Sequence, residues 1–287
     1  MNFLFMAIAL GTQAAPAGGE PPPQEAKSSE IIVQGTRRSL EEELRTLLDT
    51  ETDQIARFEM EFCPLVLGYD AEYTRVIVNR LKSNARLAGL QLGKEGCRPN
   101  ALVVFIERPH DLMQAFRMRM PQVYRGMSAR DVSVLTKREK PFYVWHGIGR
   151  VGRYGERIFE TVSTTFMASR LRRLQTFDIQ VAYLIVDISQ TVGMTLGQIG
   201  DFASLQLLLD LRLAAEDRTR PGSLLKLFDY ANPQDAPSAM TRFDKALLQG
   251  VYAPGRTDRL AFQQRSLIAQ AMIDAEAEDQ LKAEAPD

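Results

Sequence analysis

The chain has 287 residues, of which 45% are hydrophobic, and its 35 Lys and Arg nearly balance its 36 Asp and Glu. This composition is typical of a folded globular protein and excludes a disordered one, and the net charge of −1 gives no overall basic excess with which to hold nucleic acid. Only two histidines and two cysteines are present. Since zinc prefers nitrogen and sulfur ligands, this scarcity limits metal chemistry.

The N-terminus has the pattern of a secretory signal peptide. Eight apolar residues at positions 3–10 precede small residues that fit a signal-peptidase site after Ala14. Since about 20 apolar residues are needed to span a bilayer, we expect no transmembrane segment. We expect residues 1–14 to be cleaved and the protein to be periplasmic or secreted. No Lys or Arg precedes the apolar run, so two alternatives stay open: a start codon further upstream, or a buried strand or helix.

The next segment, residues 15–29, is rich in Pro, Gly, Ala and Glu, which predicts a flexible leader. Residues 30–37 (EIIVQGTR) resemble the stretch that opens the plug of TonB-dependent receptors, and this resemblance implies a short strand. We expect a single α+β domain over residues 30–280 and an acidic tail over 281–287.

Helical periodicity accounts for much of the domain. The first helix is predicted from Ser39, whose spacing to Glu42 is that of a capping box, to about Glu59. Later apolar patterns and caps predict further helices over 71–87, 111–118, 129–136, 195–208, 223–230, 242–252 and 262–277. Apolar, β-branched runs predict strands over 101–106, 142–145 and 161–166. The expected fold is therefore a small sheet packed on helices, with a mostly helical C-terminal half.

Cys63 and Cys97 are predicted to form one disulfide, because an even cysteine count in an exported chain favours a crosslink over a free thiol or a metal pair. The crosslink would pin the start of the strand at 101–106 to the end of the first helix. The alternative is a pair of unpaired buried cysteines.

A glycine-rich motif and two histidines are the obvious candidates for chemistry. Residues 147–152 match G-x-G-x-x-G, but no clear helix follows them, so we interpret them as a strand end or loop and expect no cofactor. His110 and His146 lie apart from any zinc-binding spacing, which favours structural or surface roles. His110 beside Asp111 also fits half of a proton-transfer pair, although no nucleophile motif accompanies it.

Positive charge is concentrated in the middle of the chain. Residues 108–173 contain 14 Lys and Arg against 5 Asp and Glu. One candidate face consists of Arg117, Arg119, Arg125, Arg130, Lys137, Arg138 and Lys140. These cations either pair with acidic helices of the same domain or meet an anionic partner such as a lipid head group, a wall polymer or an acidic protein surface.

Residues 186–196 read V-D-x-x-Q-x-x-G-x-x-L, which has the spacing of the metzincin zinc-binding helix H-E-x-x-H-x-x-G-x-x-H. Three other stretches, at 97–105, 223–229 and 241–252, are similar in order and character to a metzincin-like domain family of unknown function found in exported bacterial proteins. The resemblance implies a zincin-like fold. A simpler interpretation, compatible with such a scaffold, is that residues 183–192 form an ordinary core helix whose apolar face meets the sheet.

The departures from the metzincin pattern bear directly on function. Val186, Gln190 and Leu196 stand where the three histidine ligands would be, while Asp187 and Gly193 retain the acid and the glycine. Leu225 stands where the family places a methionine. Valine and leucine cannot ligate zinc, and glutamine is a poor ligand, so the resemblance implies a scaffold without a metal site.

We therefore expect an exported, non-catalytic pseudo-enzyme with a binding or structural role in the cell envelope. One alternative is a hydrolase or peptidase with an unrecognised active site, built from His110 or His146 with Asp187. Another is a protein that binds anionic surfaces through the arginine-rich segment.

Overall fold

The structure, a computed structural model, describes residues 25–49, 53–152, 175–213, 219–253 and 259–284. The predicted signal peptide, residues 15–24 of the leader, the strand predicted over 161–166 and residues 285–287 lie outside these ranges. The chain divides into two compact units, Met1–Thr36 and Arg37–Asp287. The described part of the first unit, residues 25–36, is helical and belongs to helix α1, Glu25–Leu47.

One four-stranded sheet forms the centre of the second unit. Its strands are β1 Pro64–Leu67, β2 Ala101–Ile106, β3 Phe142–Gly152 and β4 Gln175–Asp187, in the spatial order β1-β2-β4-β3. β1, β2 and β4 are parallel, and β3 runs antiparallel to β4. β2 has the predicted bounds, and the prediction of a small sheet in an α+β fold is confirmed.

Six further α-helices lie in the described residues of the second unit. They are α2 Ala71–Leu87, α3 Pro109–Arg119, α4 Ala129–Lys137, α5 Leu196–Leu208, α6 Arg242–Tyr252 and α7 Ala261–Glu284. Residues 223–230, expected as a helix, contain the 3₁₀ helix Leu224–Asp229. None of the helices in the described ranges is long and apolar enough to cross a bilayer.

Helices cover both faces of the sheet. On one face, α2 and α5 contribute Ile77 and Phe202 to a large core that also contains Leu184 of β4. On the other face, α3 and α4 contribute Met113 and Leu135 to a smaller core with aromatic residues of β3. The strands β2 and β4 are therefore buried on both sides, as parallel strands in layered folds usually are.

A buried carboxylate joins the two helices of the larger core. Asp201 on α5 is completely buried, and its oxygens accept two hydrogen bonds from the Arg80 guanidinium of α2, at 2.5 and 2.6 Å. Asn84 Nδ2 donates to the same carboxylate at 2.7 Å, and the Met240 backbone N–H donates at 2.9 Å. Because a buried charge is costly unless it is fully hydrogen-bonded, this network fixes how α2 and α5 meet.

A second buried carboxylate, Asp244, fixes the start of α6. It accepts hydrogen bonds from the Thr241 backbone N–H at 2.9 Å and from the Thr241 hydroxyl at 2.8 Å, which completes a capping box. It also accepts from Ser223 Oγ at 2.5 Å and from the Leu224 N–H at 3.0 Å. Residues 223–229 and 241–252, two of the stretches with a predicted family resemblance, are thus joined by structural hydrogen bonds.

Cys63 and Cys97 form a disulfide, with Cα atoms 6.2 Å apart, which confirms the predicted pairing. Its position differs from the expectation, because α1 ends at Leu47. The bond instead joins the residue before β1 to the loop that leads from α2 into β2.

Two predictions near the start of the domain are wrong. The strand expected over 30–37 lies within α1, as do residues 25–29 of the predicted leader. The first helix does not continue to Glu59, because the chain leaves it to pair with the segment after α5. The Asp49 N–H donates to the Asp210 carbonyl at 2.8 Å, and the Arg212 N–H donates to the Leu47 carbonyl at 3.0 Å. Ile55 and Phe58 still reach the core, but from irregular backbone.

The core helix expected over 183–192 is also wrong. Residues up to Asp187 belong to β4, and Ile188–Thr191 form a 3₁₀ helix. Tyr183 and Ile185 face the smaller core, whereas Ala182 and Leu184 face the larger one. A strand buried on both faces produces a continuous apolar run, which periodicity alone does not distinguish from a buried helix.

Candidate functional site

The residues predicted to correspond to the metzincin motif lie at the carboxyl end of β4 and in the chain that follows it, and they do not share one helix. Val186 is buried in the core. Asp187 is the last residue of the strand, and its Oδ1 accepts hydrogen bonds from the Ser189 N–H at 2.9 Å and from the Ser189 hydroxyl at 2.6 Å. The carboxylate therefore caps the short 3₁₀ helix that follows it.

The remaining motif positions lie on the surface, in a turn or in the core. Gln190 is exposed, and Gly193 adopts a φ of +84° in the turn that leads to Thr195, the N-cap of α5. Leu196 packs against the large core, and Leu225, at the position where the predicted resemblance would place a methionine, is buried within it. Within the described ranges, no three His, Cys, Asp or Glu side chains cluster as a metal site would require.

The carboxyl edge of the parallel strands is where ligands bind in many open sheets. Here the protein's own side chains occupy that edge. The Tyr69 ring packs against Phe105, with ring centroids 4.6 Å apart, and the Tyr69 hydroxyl hydrogen-bonds to Thr191 Oγ1 at 2.6 Å. These contacts join the end of β1 to the end of β4 and provide packing between them.

His146 is buried on β3 between the sheet and α5. Its Nε2 donates a hydrogen bond to the Leu207 carbonyl at 3.1 Å. Burial lowers the pKa of His146 to about 4, although hydrogen bonds to the backbone of Leu207 and Gln206 oppose the shift. The Asp210 carboxylate lies 3.5 Å from Nδ1, but with this pKa the ring is neutral at pH 7 and the contact is not an ion pair. These contacts give His146 a structural role.

His110 lies in the first turn of α3, and all of its polar atoms have local partners. Gln114 Nε2 donates to His110 Nε2 at 3.3 Å, so the ring proton resides on Nδ1. Nδ1 in turn donates to the Tyr143 hydroxyl at 2.9 Å, and that hydroxyl donates to the Arg138 carbonyl at 3.1 Å. The ring thereby links α3 to β3.

The two proton-transfer pairs considered from the sequence are not assembled. Asp111 pairs with Arg108 at 3.4 Å, and neither His110 nor His146 hydrogen-bonds to Asp187 in the part of the chain that the structure describes. His146 lies opposite Ala182, five residues before Asp187 along β4, which corresponds to about 17 Å of extended strand. The structure thus brings none of these candidates together into a catalytic constellation.

The glycine-rich residues 147–152 lie within β3. The sequence left a strand end or a loop open for these residues, and the structure shows the strand. A Cβ at Gly149 would lie 2.7 Å from the Gln180 side chain of β4, so close packing between the strands explains at least this glycine.

The arginine-rich segment builds a different kind of site on α3, α4 and the chain between them. We define the α3–α4 surface by six exposed cationic residues: Arg117, Arg119, Arg125, Arg130, Lys137 and Arg138. None of the six has a carboxylate partner among the described residues. The sequence left open whether these cations pair with acidic helices of the same domain, and for these six the described structure shows no such pairing.

Hydrogen bonds hold this layer to the fold. Gln114 Nε2 of α3 donates to the Thr136 carbonyl of α4 at 2.8 Å, and the Tyr124 hydroxyl donates to the Met113 carbonyl at 3.0 Å. Trp145 Nε1 of β3 donates to the Val123 carbonyl at 3.1 Å. The backbone that carries the six cations is therefore fixed on the sheet by polar contacts as well as by the smaller core.

Apolar side chains that the sequence did not predict to be exposed also lie on this surface. Met118 is 75% exposed, Met120 is 42% exposed and Val134 is 48% exposed. One sequence feature could have predicted this exposure: in the tetrapeptide at 117–120 (RMRM), arginine and methionine alternate at the end of a helix.

Comparisons with known protein families, with curated proteins and with solved structures each found no significant match. The resemblance to the metzincin-like family therefore rests on the sequence stretches alone and stays a prediction.

Proposed function

We propose that this protein is an exported, non-catalytic component of the cell envelope that binds an anionic partner through the α3–α4 surface. The single observation that carries the proposal is the group of six exposed cations without carboxylate partners in the described structure. Exposed cations without carboxylate partners produce a local positive potential even when the net charge of the protein is close to zero.

The surroundings of the degenerate motif support the non-catalytic part of the proposal. Val186 and Leu225 contribute to the core, and Asp187 caps a 3₁₀ helix. In this interpretation the chain keeps a zincin-like scaffold whose former ligand positions have taken packing and capping roles. The disulfide and the predicted signal peptide support export, because disulfides persist in oxidising compartments.

Neutralising part of the surface tests the binding. The triple variant Arg117→Gln, Arg119→Gln, Arg125→Gln removes three positive charges from the α3–α4 surface. Its matched control is Arg75→Gln, Arg86→Gln, Arg98→Gln, which removes three charges from exposed positions on α2 and the loop after it. The measurement is the salt concentration that elutes each protein from immobilised dextran sulfate.

We expect the surface variant to elute at clearly lower salt than the wild type and the control to elute close to it. Equal elution of the two triple variants would overturn the assignment of binding to this surface. The non-catalytic part is tested separately by metal analysis of the purified protein. Stoichiometric zinc, together with a peptidase activity that Asp187→Ala abolishes, would overturn it.

A further inference from the structure

The α3–α4 surface combines charge with exposed apolar groups, and this combination discriminates among anionic partners. Arg117 and Arg119 alternate with Met118 and Met120 where α3 ends. A partner that offered only negative charge would leave both methionines in water. A partner with an apolar phase beneath an anionic layer would satisfy both kinds of side chain.

Helix α4 repeats the combination along its outer side. Arg130, Val134 and Lys137 are exposed and lie three or four residues apart, so they follow one stripe of the helix, and the exposed Arg138 comes directly after it. The opposite side of α4 is buried through Leu135, which belongs to the smaller core. The helix therefore presents its apolar inner face to the sheet and a mixed cationic and apolar stripe to solvent.

We infer that the anionic partner is the surface of a lipid bilayer, with the arginines at the head groups and Met118 and Met120 inserted at the boundary with the acyl chains. The inference rests on the proposed function, since it names the partner of the same surface. Methionine is unbranched and flexible, which suits it to the disordered packing of an acyl boundary. The arginine stems are long enough to hold the guanidinium groups at the head groups while their methylenes lie lower.

The two halves of this mechanism respond differently to salt. Raising the ionic strength from about 0.1 M to about 1 M shortens the Debye length from about 10 Å to about 3 Å, which weakens the attraction of exposed arginines to anionic lipids. The transfer of the methionines out of water depends little on screening. A soluble polyanion would interact only with the arginines, so its binding should be fully sensitive to salt.

A single engineered cysteine can be labelled specifically, because neither native cysteine is a free thiol. Both are in the disulfide, so an introduced cysteine is the only thiol in the chain and takes an environment-sensitive dye such as NBD. The probe position is Met118→Cys. The control position is Leu87→Cys, a residue on α2 that is 40% exposed and lies outside the α3–α4 surface. Each labelled protein is mixed with vesicles of equimolar phosphatidylglycerol and phosphatidylcholine, with pure phosphatidylcholine vesicles, or with dextran sulfate.

We expect a blue shift and an intensity increase at position 118 with the anionic vesicles, and no change at position 87 or with dextran sulfate. In vesicle sedimentation, the double variant Met118→Gln, Met120→Gln should bind about tenfold more weakly than the wild type, whereas Leu87→Gln should bind equally. Met118 is largely exposed in the folded protein, so loss of folding does not account for that difference.

The outcomes separate the inference from the proposed function. Binding to dextran sulfate through the arginines, with no spectral change at position 118 on vesicles, overturns the bilayer and leaves a soluble polyanion or an acidic protein surface as the partner. If the methionine double variant binds the anionic vesicles as strongly as the wild type, the claim that Met118 and Met120 insert into the bilayer is also overturned. No binding to either probe overturns both proposals.

Discussion

Two buried titratable groups on neighbouring strands should give opposite pH dependences of stability. Burial lowers the pKa of His146 from 6.5 to about 4. Burial, assisted by the nearby Glu59, raises the pKa of Asp178 from 3.8 to about 6. Each pKa shift changes the free energy of unfolding by about 3 kcal/mol across the pH range that separates the unfolded-state pKa from the folded-state pKa.

The signs follow from where the protons bind. Between pH 6.5 and about 4 the unfolded state protonates His146 while the folded state does not, so stability falls as the pH falls. Between about pH 6 and 3.8 the folded state protonates Asp178 while the unfolded state does not, so stability rises as the pH falls. The two contributions largely cancel in the wild type between about pH 6 and 4.

Single substitutions distinguish the contribution of His146 from that of Asp178. The free energy of unfolding of the wild type minus that of His146→Gln should fall by about 3 kcal/mol between pH 7 and pH 4. Relative to Asp178→Asn, the wild type should gain about 2 kcal/mol of stability over the same range. The assay is urea denaturation at several pH values, monitored by the fluorescence of Trp145, which is the single tryptophan and is buried on β3.

Ile179→Val is the matched control, because it alters a buried neighbour of Asp178 without changing a titratable group. Its cost of about 1 kcal/mol should be the same at every pH. A difference between wild type and His146→Gln that stays constant from pH 7 to pH 4 would refute the claim that burial holds this imidazole neutral. A constant difference for Asp178→Asn would refute the corresponding claim for the carboxyl group.

Three further predictions concern the folded scaffold and are all measured as free energies of unfolding in urea. Asp201→Asn should cost about 3 kcal/mol, because it leaves a guanidinium without its buried carboxylate, and a cost under about 1 kcal/mol would contradict that role. Gly68→Ala should cost more than about 2 kcal/mol, since φ is +103° and the new Cβ would lie 2.0 Å from the Phe105 carbonyl oxygen. Gly89→Ala, at φ +87° with open space around it, should cost less, and equal costs would argue against the clash. Replacing both disulfide cysteines by serine should cost about 4 kcal/mol for this separation of 34 residues, and an unchanged stability would show that the crosslink is dispensable.

The elements that the sequence predicted best carry their own boundary signals. α6 begins after the capping box of Thr241 and Asp244 and has the predicted bounds. α2 also has the predicted bounds, with apolar residues such as Ile77 and Leu81 at helical spacing. In α6 the local cap determines where the helix starts, and in both helices the apolar spacing determines which face is buried.

The errors occur where distant partners decide the structure. The capping-box spacing of Ser39 and Glu42 lies inside α1, which starts at Glu25, so a local signal gave a false start. Residues 183–187 form a strand because β2 and β3 pair with them on both sides. Nothing in an apolar run of that length identifies its partners.

The candidate surface was also predictable only in part. The charge count of the middle segment follows directly from the sequence. Whether Arg117 or Arg130 meets a carboxylate depends on which acidic residues the fold brings near, and that information is tertiary. The exposure of Met118 depends in the same way on where α3 ends relative to the sheet.

The central claim, that the α3–α4 surface contacts an anionic lipid bilayer, is tested most directly by footprinting of guanidinium groups. The protein is treated with phenylglyoxal in the presence and absence of phosphatidylglycerol-containing vesicles, and the modified sites are quantified by mass spectrometry. We predict protection of Arg117, Arg119, Arg125, Arg130 and Arg138, while the exposed Arg75, Arg86 and Arg98 stay reactive. Equal reactivity of the two groups in the presence of the vesicles would contradict the account.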